Sequence, residues 1–480
     1  MAIRRSGAGL GLRQWLALAG AAFCALPPAS AQESPVSAPE PTHVSGPRVL
    51  PGRLPDKPSL PPAFKVPVGP LGFSAPGSFY LGQRTSLVSL DFLDENRLLF
   101  TFRVPGLIRR EAAEREAGAD EERRIRALVL QLPEGTVESE ALWTVHDRLR
   151  YLWMLKDGSF LFRDLRELKT GDASLELKPY LRFPGPLLWL DVDPTQQFLV
   201  TNSHEPVTQK PGETPGLATG LANSQGLSLN PGVQSSLGTD PGSLGLGTRT
   251  AEADKSEEEQ KLAATPDLAV RILRRNSGEV ILVSRTRSAV HLPVNADGYL
   301  ESLRAKPNQW VMNMNYFNGR LATFGRFDSA CSPLSDFLSQ REVLIIGCTA
   351  SGSGELIAMT TDGRRLWEAR SSDTTVWPLV VRAPDGSRLA RETLVVSTPI
   401  SARAPLDPED IKGQLVEVLN AADGNTALET AASPALDAGG NVAISPSGRR
   451  VAVLNSGQIQ VFELPSAPPL PVPPTHPAAR

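Results

Sequence analysis

The sequence has 480 residues, of which 41% are hydrophobic, and its 49 lysine and arginine residues against 52 aspartate and glutamate residues give a net charge of −3. This length fits one large domain or a few ordinary ones. The charge balance excludes the clustered basic surface that a nucleic-acid-binding protein needs. The 43 prolines and 40 glycines exceed the usual share and favour many short strands, long unstructured tracts, or both.

The N-terminus has the pattern of an export signal. Arg4 and Arg5 precede a short apolar run at 15–26, and small residues lead up to a cleavage site between Ala31 and Gln32. The run is too short for a permanent membrane anchor, although an uncleaved anchor is the alternative interpretation. We therefore predict a signal peptide over residues 1–31, with the mature protein periplasmic or secreted and without a transmembrane segment.

Three tracts are predicted to be disordered, namely a Pro-rich linker at 32–70, an insertion at 206–265 and a Pro-rich tail at 465–480. Proline removes a backbone donor and restricts φ, which opposes regular structure in the linker and tail. The insertion is rich in Gly, Ser, Thr and Pro and has no aromatic residue, so it has too little apolar area to offset its chain entropy.

The rest of the chain repeats one layout, in which an apolar strand, a polar turn and a second apolar strand follow each other. This pattern is typical of a β-hairpin. One hairpin type occurs at 88–100, 152–162, 188–200 and 442–453, and a second type alternates with it at 125–143, 269–283, 356–367 and 415–428.

Two such hairpins make four antiparallel strands, which is one blade of a β-propeller. The sequence therefore predicts an all-β fold with a single propeller over 71–464. The blades are predicted at 86–145, 149–184, 187–293, 297–332, 333–372, 375–434 and 437–464. Without the insertion this is roughly 46 residues per blade, as expected of such repeats, with six or eight blades as alternatives. The last blade lacks an outer strand, and an N-terminal segment at 73–81 is predicted to supply it and close the ring.

Two stretches carry a resemblance to known families. The sequence Ala-Ile-Ser-Pro-Ser-Gly-Arg-Arg-Val-Ala-Val at 443–453, followed by Ile-Gln-Val-Phe at 459–462, resembles a blade of the bacterial WD40-like and YVTN-type propellers. The sequence Asp-Gly-Arg-Arg-Leu-Trp at 362–367 resembles a repeat of the quinoprotein-type propellers. The resemblance implies blade geometry and says little about chemistry.

Two cysteines follow the predicted signal peptide, Cys331 and Cys348, while Cys24 lies within it. In an oxidising compartment the pair is able to form a disulfide. Closing the intervening loop contributes about 3 kcal/mol in the chain-entropy model. Two buried free thiols are the alternative.

The motif search assigns no catalytic residue, cofactor or metal. Nucleophile-elbow, dinucleotide-binding and HExxH motifs are absent from the sequence. His146, His204 and His291 lie far apart, and a metal site built from them requires that the ring bring them to one face.

Two sets of residues receive a structural interpretation. The acidic residues of the hairpins are interpreted as turn residues, because Asp bonds nearby backbone amides, with general acids or calcium ligands as the alternative. They are Asp91, Asp94, Asp157, Asp191 and Asp193. The strand tryptophans are interpreted as packing between blades; they are Trp143, Trp153, Trp189, Trp367 and Trp377.

These observations predict an exported, monomeric binding or scaffold module without catalytic activity, whose partner is an unidentified protein, peptide or glycan and not a nucleic acid. Two alternatives stay open. One is a propeller enzyme, either a quinone-dependent oxidoreductase or a hydrolase or lyase, with a site assembled from several blades. The other is a factor in envelope assembly.

Overall fold

The computed structural model describes residues 47–75, 87–104, 109–110, 121–146, 150–205, 268–286, 290–349, 353–399, 407–436 and 438–469. Within these ranges the chain forms β-strands and a single short 3₁₀ turn, Pro408–Asp410. None of the described segments is a helix with the length and apolarity needed to cross a bilayer. The predicted signal peptide with its cleavage site at Ala31 and Gln32, and the predicted insertion at 206–265, lie outside the described residues.

The strands form seven small sheets, numbered here as blades 1 to 7 in chain order. Two short strands come first, β1 (Arg48–Val49) and β2 (Phe64–Pro67). Blade 1 contains β3 (Ser89–Phe92), β4 (Arg97–Arg103), β5 (Arg109–Arg110), β6 (Glu121–Gln131) and β7 (Thr136–Val145). Blade 2 contains β8 (Leu152–Met154), β9 (Phe160–Asp164), β10 (Glu167–Gly171) and β11 (Lys178–Arg182). Blade 3 contains β12 (Leu187–Val192), β13 (Phe198–His204), β14 (Leu268–Arg274) and β15 (Val280–Thr286).

The second half of the chain continues the series. Blade 4 contains β16 (Gly298–Lys306), β17 (Gln309–Tyr316) and β18 (Leu321–Asp328). Blade 5 contains β19 (Leu334–Phe337), β20 (Glu342–Cys348), β21 (Gly354–Thr360) and β22 (Arg365–Arg370). Blade 6 contains β23 (Thr375–Arg382), β24 (Arg388–Val396), β25 (Ile411–Asn420) and β26 (Thr426–Ala432). Blade 7 contains β27 (Val442–Ile444), β28 (Arg450–Asn455) and β29 (Gln458–Glu463).

The all-β propeller fold predicted from the hairpins is confirmed, with seven blades. The predicted blade limits follow the observed sheets closely. Blade 4 has three strands instead of four. Its innermost segment, residues 290–294, makes a single β-bridge from Val294 to Tyr299 in place of a full strand.

Strand composition follows position within a blade. The second strands β13, β20 and β24 are buried along nearly their whole length. They lie between two neighbouring blades, so residues on both faces of each strand are buried. Polar residues such as Thr201, Asn202 and Arg391 are buried there together with the apolar ones. The outer strands β18 and β22 alternate between exposed and less exposed residues, because one face of each meets water.

Seven apolar clusters join the blades, one at each boundary between neighbours. Representative members, from the boundary of blades 7 and 1 onward, are Val66, Phe100 and Ile459; Ile125, Trp143 and Phe162; Leu161, Leu168 and Leu199; Val200, Ile272 and Leu292; Met312, Phe324 and Val343; Leu344, Trp367 and Leu419; and Val416, Leu428 and Val451. Because every boundary is filled, the ring has no open side.

Two Asp-Gly turns also bring neighbouring blades together. Gly158 and Gly386 both have positive φ, and a Cβ added to either would lie within 3 Å of a carbonyl oxygen of the preceding blade, that of Leu93 or Leu338. Only glycine meets both requirements without strain.

The ring is closed by an N-terminal strand, as predicted, but the strand is β2 and not the predicted segment at 73–81. β2 pairs antiparallel with β29, with Val66 opposite Ile459, and so supplies the missing outer strand of blade 7. Phe73 instead packs its ring 5.4 Å from the rings of Phe100 and Phe102. Residues 76–86 lie outside the described residues.

Residues 47–75, called here the N-terminal strap, run along the outside of blades 5 to 7 and end against blade 1, where Phe73 packs. β1 pairs in parallel with β22 of blade 5. Ser59 exchanges two hydrogen bonds of 2.8 Å with the backbone of Glu429 in blade 6. For residues 47–70 the prediction of a disordered linker is therefore wrong, because backbone pairing and the burial of Leu50 and Val66 hold this segment in place. Residues 32–46 lie outside the described residues.

We expect Val66→Asp to destabilise the whole propeller by roughly 3 kcal/mol, because it places a charge in the closure cluster where Val66 is 2% exposed. Urea unfolding followed by tryptophan fluorescence measures the change. The matched control is Lys65→Asp on the exposed face of the same strand, which should change stability by less than about 0.5 kcal/mol. Equal stability of the two variants would show that β2 does not close the ring.

Candidate functional site

The first strands of the blades surround an axial channel with a cavity of about 280 Å³, lined by residues from all seven blades. This geometry follows from the fold, because each blade directs its innermost strand towards the common axis. Side chains that are distant in sequence meet there.

Three carboxylates line the channel at equivalent positions of blades 1, 3 and 5, and these are Asp91, Asp191 and Asp336. In each of these blades one backbone amide closes the first hairpin, and the carboxylate lies two residues before it. The amides belong to Leu93, Asp193 and Leu338. The side chains of β-strand residues alternate between faces. The shared position therefore directs all three carboxylates to the same level of the channel.

Arg150 supplies a guanidinium group between the carboxylates of blades 1 and 3. Its Nε donates to the carbonyl oxygen of Leu152 at 3.0 Å, and its guanidinium lies 5.2 Å from the ring centre of Trp153. The side chain is open to the water of the channel but surrounded by protein. This enclosure lowers the pKa of Arg150, while the charges of Asp91 and Asp191 oppose the shift.

The terminal nitrogens of Arg150 form no ion pair within 4 Å with any carboxylate of the described residues, although Asp91 and Asp191 are its electrostatic neighbours. Asp91 instead accepts a hydrogen bond of 2.5 Å from the Ser89 hydroxyl, and Asp191 accepts one of 2.8 Å from the backbone amide of Val192. The guanidinium therefore remains available to a ligand.

A second arginine in the channel is already paired. Nε of Arg382 lies 3.3 Å from Oδ2 of Asp336, and its guanidinium also donates to the carbonyl oxygen of Phe337. Burial raises the pKa of Asp336, and Arg382 counteracts that shift. Burial likewise raises the pKa of Asp91.

An aromatic pair, Trp189 and His291, forms another part of the wall. The rings meet edge to face, with their centres 5.3 Å apart. Nε2 of His291 lies 2.8 Å from the carbonyl oxygen of Ser335 and therefore carries the proton, which leaves Nδ1 as an acceptor in the neutral ring. Nδ1 of His291 and Nε1 of Trp189 are buried and have no hydrogen-bond partner among the described residues.

Glu392 on β24 is a further acidic residue of the channel wall. It is 1% exposed and lines the channel; its Oε2 accepts a hydrogen bond of 2.8 Å from Gln414, and its Oε1 has no partner among the described residues. Burial raises the pKa of Glu392 to about 8, so the carboxyl is mostly neutral at pH 7.

The turn interpretation of the hairpin acids is confirmed for three residues and wrong for two. Asp94, Asp157 and Asp193 accept hydrogen bonds from backbone amides two to five residues further on. Asp91 and Asp191 lie within strands and line the channel. Both precede their turns by only two or three residues. Their place in the sequence therefore did not distinguish strand residues that face the channel from turn residues.

The third carboxylate, Asp336, was missed by the sequence analysis. A signal for it exists, because Ser-Leu-Asp-Phe at 89–92, Leu-Asp-Val at 190–192 and Leu-Ser-Asp-Phe at 334–337 place Asp at the same distance from a hairpin turn. The recurrence of an acid at one repeat position, next to apolar residues of the first strand, points to a shared environment at the axis.

The three histidines considered as metal ligands have separate surroundings. His146 pairs with Asp164 at 2.8 Å, His291 lies in the channel and His204 ends β13. Within the described ranges no group of three or more His, Cys, Asp or Glu side chains is arranged to hold a metal ion.

The tryptophans divide into two groups. Packing between blades is confirmed for Trp143 and Trp367, which belong to apolar clusters at two blade boundaries. Trp153 packs in such a cluster and also lines the channel, whereas Trp189 lines the channel.

Cys331 and Cys348 are paired, with their Cα atoms 5.6 Å apart. The pair connects the segment that follows blade 4 to the end of β20 in blade 5. The neighbouring backbone supports the geometry, since the amide of Ala330 donates to the carbonyl oxygen of Cys348 at 2.9 Å.

The chain is thus a seven-bladed β-propeller with a charged axial channel. No protein-family model matches the sequence, and no curated protein matches it either. The resemblance to the bacterial WD40-like and YVTN-type propellers therefore stays a prediction.

Several solved structures have a similar fold at low identity. Acylaminoacyl peptidase from Pyrococcus horikoshii is 9% identical with a TM-score of 0.41, over 76% of this chain and 48% of the peptidase, so this chain spans about half the peptidase's length. Hydrazine synthase from Kuenenia stuttgartiensis is 10% identical with a TM-score of 0.38, over 79% and 96% of the two chains. A chain of the mitotic checkpoint complex is 9% identical with a TM-score of 0.37, over 90% and 99%. Likeness at this level carries no inference about function.

We expect Glu392→Gln to remove a pH dependence of stability. The pKa of Glu392 in the folded protein, about 8, lies above its ordinary value of 4.5. Its contribution to stability is therefore fully present below about pH 4.5 and is lost as the pH rises through about 8, a change of roughly 5 kcal/mol. Urea unfolding near pH 5 and about pH 9 should show a smaller difference for the variant. The exposed control Glu134→Gln should retain the wild-type difference, and a variant that also retained it would contradict the assignment.

Proposed function

We propose that this protein is an exported binding module that receives a protein, peptide or glycan partner in its axial channel without transforming it chemically. One observation carries the proposal: the channel gathers the free guanidinium of Arg150 and three buried polar atoms without partners, Nε1 of Trp189, Nδ1 of His291 and Oε1 of Glu392. Each buried atom left unsatisfied costs about 1–3 kcal/mol. A ligand that bonds to these atoms removes that cost.

Rigidity supports a binding role. The channel wall is formed by strands that are fixed on both sides by apolar clusters, so its polar groups are held in position before a ligand arrives. A site that is already organised loses little conformational entropy on binding. This is the arrangement expected of a recognition surface on a stable scaffold.

A catalytic function is the alternative, and one feature favours it. Ser89 donates to Asp91, and Glu392 is a neutral acid in the same channel. Carboxyl groups that share an enclosed site are the usual components of acid–base catalysis. The two functions differ in their outcome, since a binding module releases its ligand unchanged.

Binding is tested with the purified protein against panels of short peptides and neutral or acidic oligosaccharides, using thermal shift followed by calorimetry. We expect Arg150→Met to weaken binding about 10-fold to 100-fold, as the loss of a charged hydrogen bond implies. The matched control is Arg304→Met on the exposed part of β16, which should bind as the wild type does.

Mass spectrometry of the ligand after prolonged incubation distinguishes the two functions. An unchanged mass supports the binding module, and a cleaved or oxidised ligand supports the enzyme. Binding that is equally strong in both arginine variants would place the site outside the channel.

Export is supported by the N-terminal signal pattern and by the pairing of Cys331 with Cys348, since disulfides persist mainly in oxidising compartments. We expect intact-mass analysis of protein expressed from the full-length gene to show a chain that begins at Gln32. It should have no free thiol until a reductant is added. Replacing both cysteines by serine should destabilise the fold by about 3 kcal/mol. A mature chain that retains Cys24, or that carries free thiols at 331 and 348, would contradict export.

A further inference from the structure

The axial channel contains both signs of charge in near balance. Three carboxylates on the first strands (Asp91, Asp191 and Asp336) and two guanidinium groups (Arg150 and Arg382) line the cavity. The turn residues Asp193 and Lys156, one of each sign, also contribute to its wall. Arg382 and Asp336 neutralise each other by direct contact. Arg150, Asp91 and Asp191 remain as a positive group with a negative group on either side, without direct contact between them.

A ligand that fills this cavity displaces water from all three of these groups. A ligand with a single charge would pair with one sign and leave the other dehydrated and unpaired, which is unfavourable. A neutral ligand would leave both signs without a countercharge. A ligand that carries a positive and a negative group a short distance apart supplies a countercharge to both.

From this arrangement we propose that the channel binds a small zwitterion of the α-amino acid or dipeptide class, with its carboxylate on Arg150 and its ammonium group between Asp91 and Asp191. The inference rests on the proposed function, because it assigns a ligand class to the same channel.

The surroundings of Arg150 fit a carboxylate. Its Nε is held by the carbonyl oxygen of Leu152 and its Cζ lies 5.2 Å from the ring centre of Trp153, which leaves the terminal nitrogens as donors for a ligand. A guanidinium held in this way matches the two oxygens of a carboxylate.

The carboxylates fit an ammonium group. Asp91 and Asp191 are held by Ser89 and by the backbone amide of Val192 respectively. Each of these bonds uses part of the acceptor capacity of its carboxylate, which has about four lone-pair sites. Oxygen acceptors from two blades are therefore available to an ammonium group, which has three donors.

Size and the remaining polar atoms limit the ligand further. The cavity of about 280 Å³ is just below the usual range for small-molecule sites, which suits a ligand of the size of an amino acid or dipeptide. Nε1 of Trp189 as donor and Nδ1 of His291 as acceptor are placed on the same wall, where a peptide amide has the matching acceptor and donor.

Isothermal titration calorimetry of the full mature protein tests the inference. The probes are the common L-amino acids and a set of dipeptides, each compared with its N-acetylated and its C-amidated derivative. We expect at least one free zwitterion to bind. We expect N-acetylation or C-amidation each to weaken its binding 10-fold or more, because each removes one charge.

Paired variants assign each charge to its side chain. Arg150→Met should strongly weaken the binding of the free zwitterion but change the affinity for the C-amidated derivative little. Asp191→Asn should weaken the binding of the zwitterion but change the affinity for the N-acetylated derivative little. Arg304→Met is the surface control and should match the wild type. Circular dichroism and thermal unfolding confirm that each variant is folded.

Two outcomes would overturn the inference and are distinguishable from each other. If a neutral or singly charged ligand binds more tightly than every zwitterion and Arg150→Met abolishes that binding, the zwitterion assignment fails while the binding channel stands. If no probe of any class shows binding that depends on Arg150, the assignment fails and the proposed function fails with it.

Discussion

Burial of apolar side chains between neighbouring blades is the interaction on which the rest of this structure depends. No blade covers both of its own faces, and each needs the next one to exclude water. The seven clusters form a circle that is complete only when the boundary between blades 7 and 1 is filled. The strap supplies that boundary with Val66, which packs among residues of both blades. The N-terminal and C-terminal ends of the propeller sequence are thus held together by the same hydrophobic effect that joins each pair of neighbours.

Closure of the ring also determines the character of the channel. The innermost strands contribute one short segment per blade, and their side chains meet at the axis irrespective of their separation in sequence. Arg150 and Asp191 are electrostatic neighbours because blades 2 and 3 are neighbours, and Arg382 reaches Asp336 because blade 6 follows blade 5. A polar group placed here is partly removed from water by the ring itself. The pKa values of Asp91, Asp336 and Glu392 are all raised by that burial.

The strap shows how proline-rich sequence is accommodated in a sheet protein. Pro67 lies in β2, an outermost strand whose outward backbone groups need no partner, and proline is tolerated at such an edge. Along blades 5 and 6 the strap makes backbone contacts through five residues, which are Arg48, Val49, Leu50, Gly52 and Ser59. Composition predicted a disordered linker, whereas the segment contains the paired strands β1 and β2. It did not indicate that the segment is held against the propeller, because that depends on the groove and strand edges that the blades present.

The hairpins, their turns and the all-β class were determined by the sequence itself, because strand periodicity and turn chemistry are local properties of a few neighbouring residues. The sequence predicted about seven blades with six or eight as alternatives, and the structure has seven. Asp94, Asp157 and Asp193 were assigned correctly for the same reason, since each bonds to an amide close by in the chain. The tertiary structure alone decided which strand closes the ring and which polar residues form the channel. Asp91, Arg150, Asp336 and Glu392 come from four different blades, and only the circular arrangement of those blades brings their side chains to one axis.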